Sequence, residues 1–334
     1  KKPMETDEIV IATPDSARRA YVQSITVSYT TTEIATSDAY VYVYSDQDIA
    51  EQVNNKLEEY ADNGQKLNNL YIYIWGDCKI TKSIVAPASI YLNGRNHTID
   101  ASELDGPFTT TPDGDLNEWE KGTYTIQNAN IKGLKKALFV SARKNYLFTN
   151  FLINNSVIEF DETTGLEFDF RKGSVAENFT IQNSTLYAPT ATTNSLYTSQ
   201  SAQRATEAPD VEMQTFTIKN STLYNFAKSK NFFTHRQANQ KWLTYDIENN
   251  IFVNCGKSGQ TIRGLNQGQQ GKNPTWIIKN NSFNFDGKDT SADEFTGDDE
   301  ETVEGNVEGV VVFADAENGD FTLGDCLQNI MYVG

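Results

Sequence analysis

The chain has 334 residues, with 28 Lys/Arg against 45 Asp/Glu, a formal charge of −17 that argues against nucleic acid as a partner. Apolar residues make up 38%, enough for a core, and no apolar stretch is long enough to cross a membrane. Cys78, Cys255 and Cys326 are irregularly spaced and fit neither a disulfide framework nor a zinc pattern. Three buried thiols are expected, with one bridge plus a buried thiol as the alternative.

Residues 1–40 read as an N-terminal extended or β segment, and Lys1 in place of Met suggests a processed start. Residues 41–66 form a capping-helix region. Ile49, Val53, Leu57 and Tyr60 fall at helical spacing, Asp46 or Asp48 is placed to cap the start, and Gly64 to end it. Such a helix would cover the open end of whatever follows. From residue 67 to 334 the pattern changes to strands. Residues 70–74 and 90–92 are strand-like, and Gly76, Pro87 and Gly94 punctuate them as turns.

One phrase then returns six times, an asparagine between two apolar, β-rich runs, at Asn128, Asn155, Asn183, Asn220, Asn249 and Asn280. The intervals are 27, 28, 37, 29 and 31 residues, a period that means stacked units unable to bury their apolar faces alone. Around Asn220, Phe216, Ile218 and Leu223 alternate with polar neighbours as in a half-buried strand. Asn tolerates a left-handed backbone, and stacked amides can bond one another in a ladder. An interior Asn without such a partner would cost about 1–3 kcal/mol, so one per turn makes sense only if the six stack. The fold class expected is all-β, a right-handed parallel β-helix over 67–334. A leucine-rich repeat has a shorter period and a leucine spacing that is missing here. Asn-X-Ser/Thr triplets at Asn96, Asn154, Asn178, Asn183, Asn220 and Asn280 read as by-products of this phrase rather than as glycosylation sites. The stretch 188–209 looks like an inserted loop.

The order of amphipathic helix, strands at 70–76, 79–87 and 90–94, and then Asn-marked coils resembles the pectin-lyase-like β-helix superfamily. The later coils, and the ending at 313–323, are similar to surface lipoproteins of Bacteroidetes polysaccharide-utilisation systems. The resemblance implies an extracellular or outer-membrane-surface protein, lipid-anchored through a removed N-terminus within a surface complex, with no transmembrane segment and a polysaccharide partner.

Charge is unevenly spread. Residues 213–285 hold nine Lys/Arg and two acids, Asp246 and Glu248, whereas acids crowd into 286–304. That acidic run reads as a solvated loop. Asp113, Asp115 and Asn117 open like a calcium loop, but Glu118 and Tyr124 stand where an EF-hand needs Gly and Glu. No cofactor is expected, with a looser calcium site there as the alternative.

Five of the eight arginines, Arg143, Arg171, Arg204, Arg236 and Arg263, precede a repeat asparagine by 12 to 17 residues. Stacked about 5 Å apart, such guanidinium groups would repel by about 3 kcal/mol at an effective dielectric of 20, so a column needs anions. Those are either Glu167, Asp169 and Asp246, as a salt-bridge ladder, or the carboxylates or sulfates of an acidic polysaccharide. The third reading is a chance spacing with no column, and Arg204, in the inserted stretch, fits a column least. Arg143, Arg171, Lys241, Trp242 and Tyr224 are the candidate ligand-binding residues. Tyr187 and Tyr197 join Tyr224 and Trp242 as rings for a sugar face.

Elimination from a uronate needs a base for the C5 proton and a cation for the carboxylate. His235, Arg236, Lys257 and Arg263 offer both and are the catalytic candidates. His97 reads as packing near the solenoid's start. Glu159/Asp161 and Glu167/Asp169 are the best paired carboxylates, more simply read as outward-facing strand positions. Polygalacturonase-like motifs are absent, since the histidines stand in Asn-His-Thr and Thr-His-Arg. Binding of an acidic polysaccharide is therefore the expectation. A polysaccharide lyase and a non-catalytic structural surface protein are the alternatives, and whether the chain is an enzyme stays open.

Overall fold

A computed structural model describes residues 6–9, 25–28, 38–64, 67–86, 89–104, 108–110, 119–135, 137–141, 146–161, 167–171, 174–199, 211, 214–235, 243–256, 262–263, 275–285, 288–289, 302–308 and 311–323. The chain divides into two units, Lys1–Thr36 and Ser37–Gly334. In the first, Thr6–Ile9 pairs antiparallel with Ile25–Ser28.

The second unit is a parallel β-solenoid with three sheets, of ten, ten and seven strands. From Asn69 to Arg263 each coil contributes a strand to each sheet. In one coil these are Val175–Gln182, Thr185–Tyr187 and Tyr197–Ser199. Residues a full turn apart lie side by side. Ile126, Ile153, Ile181, Ile218, Ile247 and Ile278 are in register along the first sheet, all fully buried. Beside them run Tyr124, Phe151, Phe179, Phe216, Tyr245 and Trp276, also in register, with most successive rings stacked at 4.4–5.2 Å. That matches the spacing of neighbouring strands, about 4.8 Å. Each such side chain contributes about 1.5–3 kcal/mol by leaving water, but only when the next coil covers it.

The six repeat asparagines all have a left-handed backbone, φ 46–58°. They turn the chain from the first sheet to the second, and their side chains form an outer amide ladder. Asn155 donates to Asn128 (2.8 Å), Asn220 to Asn183 (3.1 Å) and Asn249 to Asn220 (3.2 Å), while Asn183 reaches across to Asn154 (3.1 Å). A second ladder, inside, starts one residue later. Ser156, Ser184 and Ser221 each accept the backbone N–H of the equivalent residue in the preceding coil, and Asn250, Asn281 and Asn306 continue the row.

The helix Ile49–Asp62 follows the first strand of the first sheet, Asp38–Val43, instead of preceding the sheet. Asp48 accepts the Ala50 N–H at 2.9 Å as N-cap, and Gly64 stands just past the end with φ 65°. Ile49, Ala50 and Val53 are buried, and Leu57 and Tyr60 pack on the core. The expected long loop after Ala188 is shorter than its composition suggests. Tyr197–Ser199 joins the third sheet between Phe168–Phe170 and Phe233–His235, because Leu196 and Tyr197 fill the core there. Cys78 and Cys255 are free and buried, and Cys326 lies outside the described residues.

Candidate functional site

A short hairpin near the C-terminus, Phe313–Asp315 with Asp320–Leu323, lies against the outer side of the second sheet. Phe321 meets Tyr187 edge-on (5.0 Å between centroids), and Phe313 and Phe321 both meet Tyr224 (6.2 and 5.8 Å). Gly319, with φ 84°, sits so close to Tyr187 that an added Cβ would lie 2.6 Å from its hydroxyl. Tyr187 and Tyr197 are buried and offer no sugar platform; Tyr224 is partly exposed, with two phenylalanines against its ring.

Grooves open on either side of the hairpin. One, of about 430 Å³, runs along the stacking axis past Asn96, Asn130, Lys132, Asn155, Asn183 and Tyr187, closed at one end by Asn318 and Gly319. The other, of about 420 Å³, is lined by Tyr224, Asn225, Lys228, Asn254 and Glu317. Both fall in the usual range for ligand sites. The first is walled by amides that the turns bring to the surface once per coil, so it repeats polar donors and acceptors at the coil spacing. Lys132 and Lys228 are exposed and make no ion pair among the described residues. Tyr187 donates to Glu159 at 2.5 Å; burial and this bond raise its phenol well above the ordinary value, so it stays neutral and is a poor base. Glu159 is thus engaged, on a strand whose neighbour Asp161 is exposed.

Elsewhere several of the described charges pair internally. Arg171 forms a two-point contact with Asp169 (2.8 and 2.6 Å), the carboxylate partner expected if the arginines are structural. Lys219 lies 2.7 Å from Asp246 and 3.3 Å from Glu248, and Lys279 is 2.7 Å from Glu304. Burial raises Asp246 above the usual carboxylate range, while hydrogen bonds from Asp246 and Lys219 lower Glu248. His97 is partly exposed, its Nδ1 3.6 Å from Asp77. Glu167 is buried.

Among the described residues, Arg171 and Arg263 do not share the single column expected from the spacing. Arg263 pairs in register with Thr234, in the row of Thr198 and Asp169, and Arg171 lies two residues beyond Asp169. The connections between coils differ in length, so equal distance from the asparagine does not mean equal register. Arg263 and His235 are likewise out of register by one residue. Arg143, Arg204, Arg236, Lys241, Trp242 and Lys257 lie outside the described residues, as do the Asp113–Asn117 stretch and the acidic run at 290–300. Among the described residues no cluster of three His, Cys, Asp or Glu could hold a metal. The amide groove, Lys132 and the hairpin escaped the sequence reading. Asn96 in a coil turn and Asn130 at the head of a strand were the available signal for the groove, but nothing in the local sequence shows where the hairpin folds back.

These features define the chain as a parallel β-solenoid with two grooves on one flank. A family model described as a domain of unknown function (DUF4957) matches residues 77–189, the stretch that supplies the coil wall of the first groove. No curated protein and no solved structure matches the chain.

Proposed function

We propose that this protein is an extracellular or surface-anchored solenoid that binds an acidic polysaccharide along the groove between Asn96 and the C-terminal hairpin. The observation that carries the reading is the groove itself, amide-walled and lined by Lys132, whose ammonium makes no ion pair among the described residues. Amides donate and accept at once, which suits sugar hydroxyls, and an unpaired ammonium suits a uronate carboxylate or a sulfate. Lys228 offers the same chemistry in the second groove. The arginines contribute less than their number suggests, since Arg171 is already occupied by Asp169. The resemblance to pectin-lyase-like solenoids and to polysaccharide-utilisation lipoproteins supports the same partner class.

Binding is favoured over turnover. The neutral Tyr187 and the engaged Glu159 do not supply a base beside Lys132. The test is retention of the purified chain on polygalacturonate, alginate and chondroitin sulfate, with absorbance of unsaturated uronate followed in parallel. The reading expects salt-sensitive retention on at least one glycan, weakened several-fold in Lys132→Ala, with no new absorbance. Growth of that absorbance would make the chain a lyase, and absence of retention on any of them would overturn the reading.

A further inference from the structure

The outer face of a solenoid sheet is ordinarily polar, but after Asp38 and Asn69 the outward positions of the first two coils are aromatic. Tyr40, Tyr42 and Tyr44 alternate with buried Val41 and Val43, and Tyr71, Tyr73 and Trp75 with buried Ile72 and Ile74. These aromatics divide into two groups. Tyr40, Tyr71 and Tyr91 stack in register at 4.8 and 4.7 Å, nearly parallel, so their faces are largely used on one another. Tyr42, Tyr44 and Trp75 are 48%, 56% and 46% exposed. Asp38–Val43 is the terminal strand of its sheet, and Tyr42 stacks on Tyr73 from that end, at 5.8 Å.

Arg95 completes the patch. Its guanidinium lies 3.8 Å over the Trp75 ring and makes no ion pair among the described residues. A guanidinium held over an indole face still has N–H donors at its edge, where a planar anion can take two of them. Arg95 has φ 50°, and the next residue, Asn96, is the first wall residue of the amide groove. The patch and the groove therefore meet at one turn. A track leads from Tyr44 and Trp75 through Arg95 and Asn96, past Lys132, to Tyr187 and the hairpin. From the coil of Trp75 to that of Asn183 it crosses four coil spacings, about 19 Å.

We propose that Tyr42, Tyr44, Trp75 and Arg95 form a second saccharide subsite, in which a sugar ring lies against the exposed aromatics and its carboxylate or sulfate takes the Arg95 guanidinium. The occupant is an acidic glycan because the patch offers open ring surface together with a cation that has no ion pair among the described residues, with hydroxyls and amides at its rim. A second copy of a chain carrying a net charge of −17 is disfavoured by repulsion. The inference rests on the proposed glycan-binding function and extends the same track beyond the groove.

The test is calorimetric titration of the whole chain with size-defined oligouronates and sulfated oligosaccharides, using the glycan retained in the affinity experiment. Trp75→Ala and Arg95→Ala should each weaken binding of long oligomers about tenfold, the order expected for loss of one stacking or two-point contact. Trp75→Phe should recover most of the affinity, and Arg95→Lys only part. Far-UV circular dichroism of each variant checks that the coils remain. If Lys132→Ala weakens binding while the Trp75 and Arg95 variants bind as the parent does, the subsite is overturned and the groove stands. If the Trp75 and Arg95 variants weaken binding and Lys132→Ala does not, the subsite stands and the groove reading falls. Loss of self-association in the Trp75 variant without any change in glycan affinity overturns the subsite in favour of a contact between copies.

Discussion

Replacing Asn281 with alanine tests the inner ladder, which aligns the coils on which both grooves depend. Asn281 is fully buried, and its side chain makes four hydrogen bonds. Its Nδ2 donates to the Ile247 carbonyl (2.9 Å) and to Asn306 Oδ1 (3.0 Å), and its Oδ1 accepts from the Asn250 N–H (3.0 Å) and Asn250 Nδ2 (2.9 Å). Alanine leaves at least two of these partners buried without a replacement, at about 1–3 kcal/mol each, so a loss of about 3–5 kcal/mol is expected. Serine is the informative comparison, because serine fills the same place in earlier coils. Ser184 accepts the Ser156 N–H at 3.1 Å and donates to the Gln182 carbonyl at 2.7 Å. Asn281→Ser should therefore cost only about 1–2 kcal/mol. Urea denaturation followed by circular dichroism reads both, from the shift in midpoint at unchanged slope. A loss below about 1 kcal/mol for alanine, or equal losses for the two variants, would refute the ladder as a source of stability.

Gly319→Ala forces a side chain into a left-handed position and against the Tyr187 hydroxyl; it should release the hairpin, seen as faster proteolysis near 313–323 while the coils keep their midpoint. Lys219→Met removes the cation between Asp246 and Glu248 and should cost about 1–2 kcal/mol at neutral pH. Burial already holds Asp246 above its unfolded value, so its ionisation lowers stability as pH rises through the folded value. The variant's deficit should accordingly shrink as the pH is lowered and Asp246 takes up its proton, and denaturation across pH 4–7 (roughly the carboxylate range and above) checks the sign. Burial pushes the Cys78 and Cys255 thiols up to about 12, so neither should react with a thiol reagent at mildly alkaline pH until the chain unfolds. Mass spectrometry after labelling the folded chain reads this directly.

The fold was legible because one corner of every later coil is invariant. From Gln127 onward two residues separate the first-sheet strand from the second-sheet strand, as between Gln127 and Asn130 or between Lys279 and Ser282. The left-handed asparagine sits there six times, with Gly305 in its place in the last coil, and the isoleucine two residues before each asparagine points inward. The other corners vary, from four to nine residues after the second sheet and from two to fourteen after the third. Arginines counted from the asparagine across those variable corners lost their register, which is why Arg171 and Arg263 do not share a column. The exposed tyrosines were visible as strand residues, but their position beside an end strand depends on pairing between Tyr42 and Tyr73 that no local pattern contains. The hairpin on Tyr187 and Tyr224 is a long-range contact of the same kind.

That difference between corners decides where this molecule can accept new sequence. Lengthening the connection at 200–213 leaves every downstream strand in its row, since the excess leaves and returns at the same height. One residue added beside Asn220 would shift the following strand by a single step, and Leu223 would then face water while Thr222 faced the core. Grafts and natural length changes are therefore tolerated at two corners of the triangle, and the asparagine edge serves as the fixed reference from which each turn is measured.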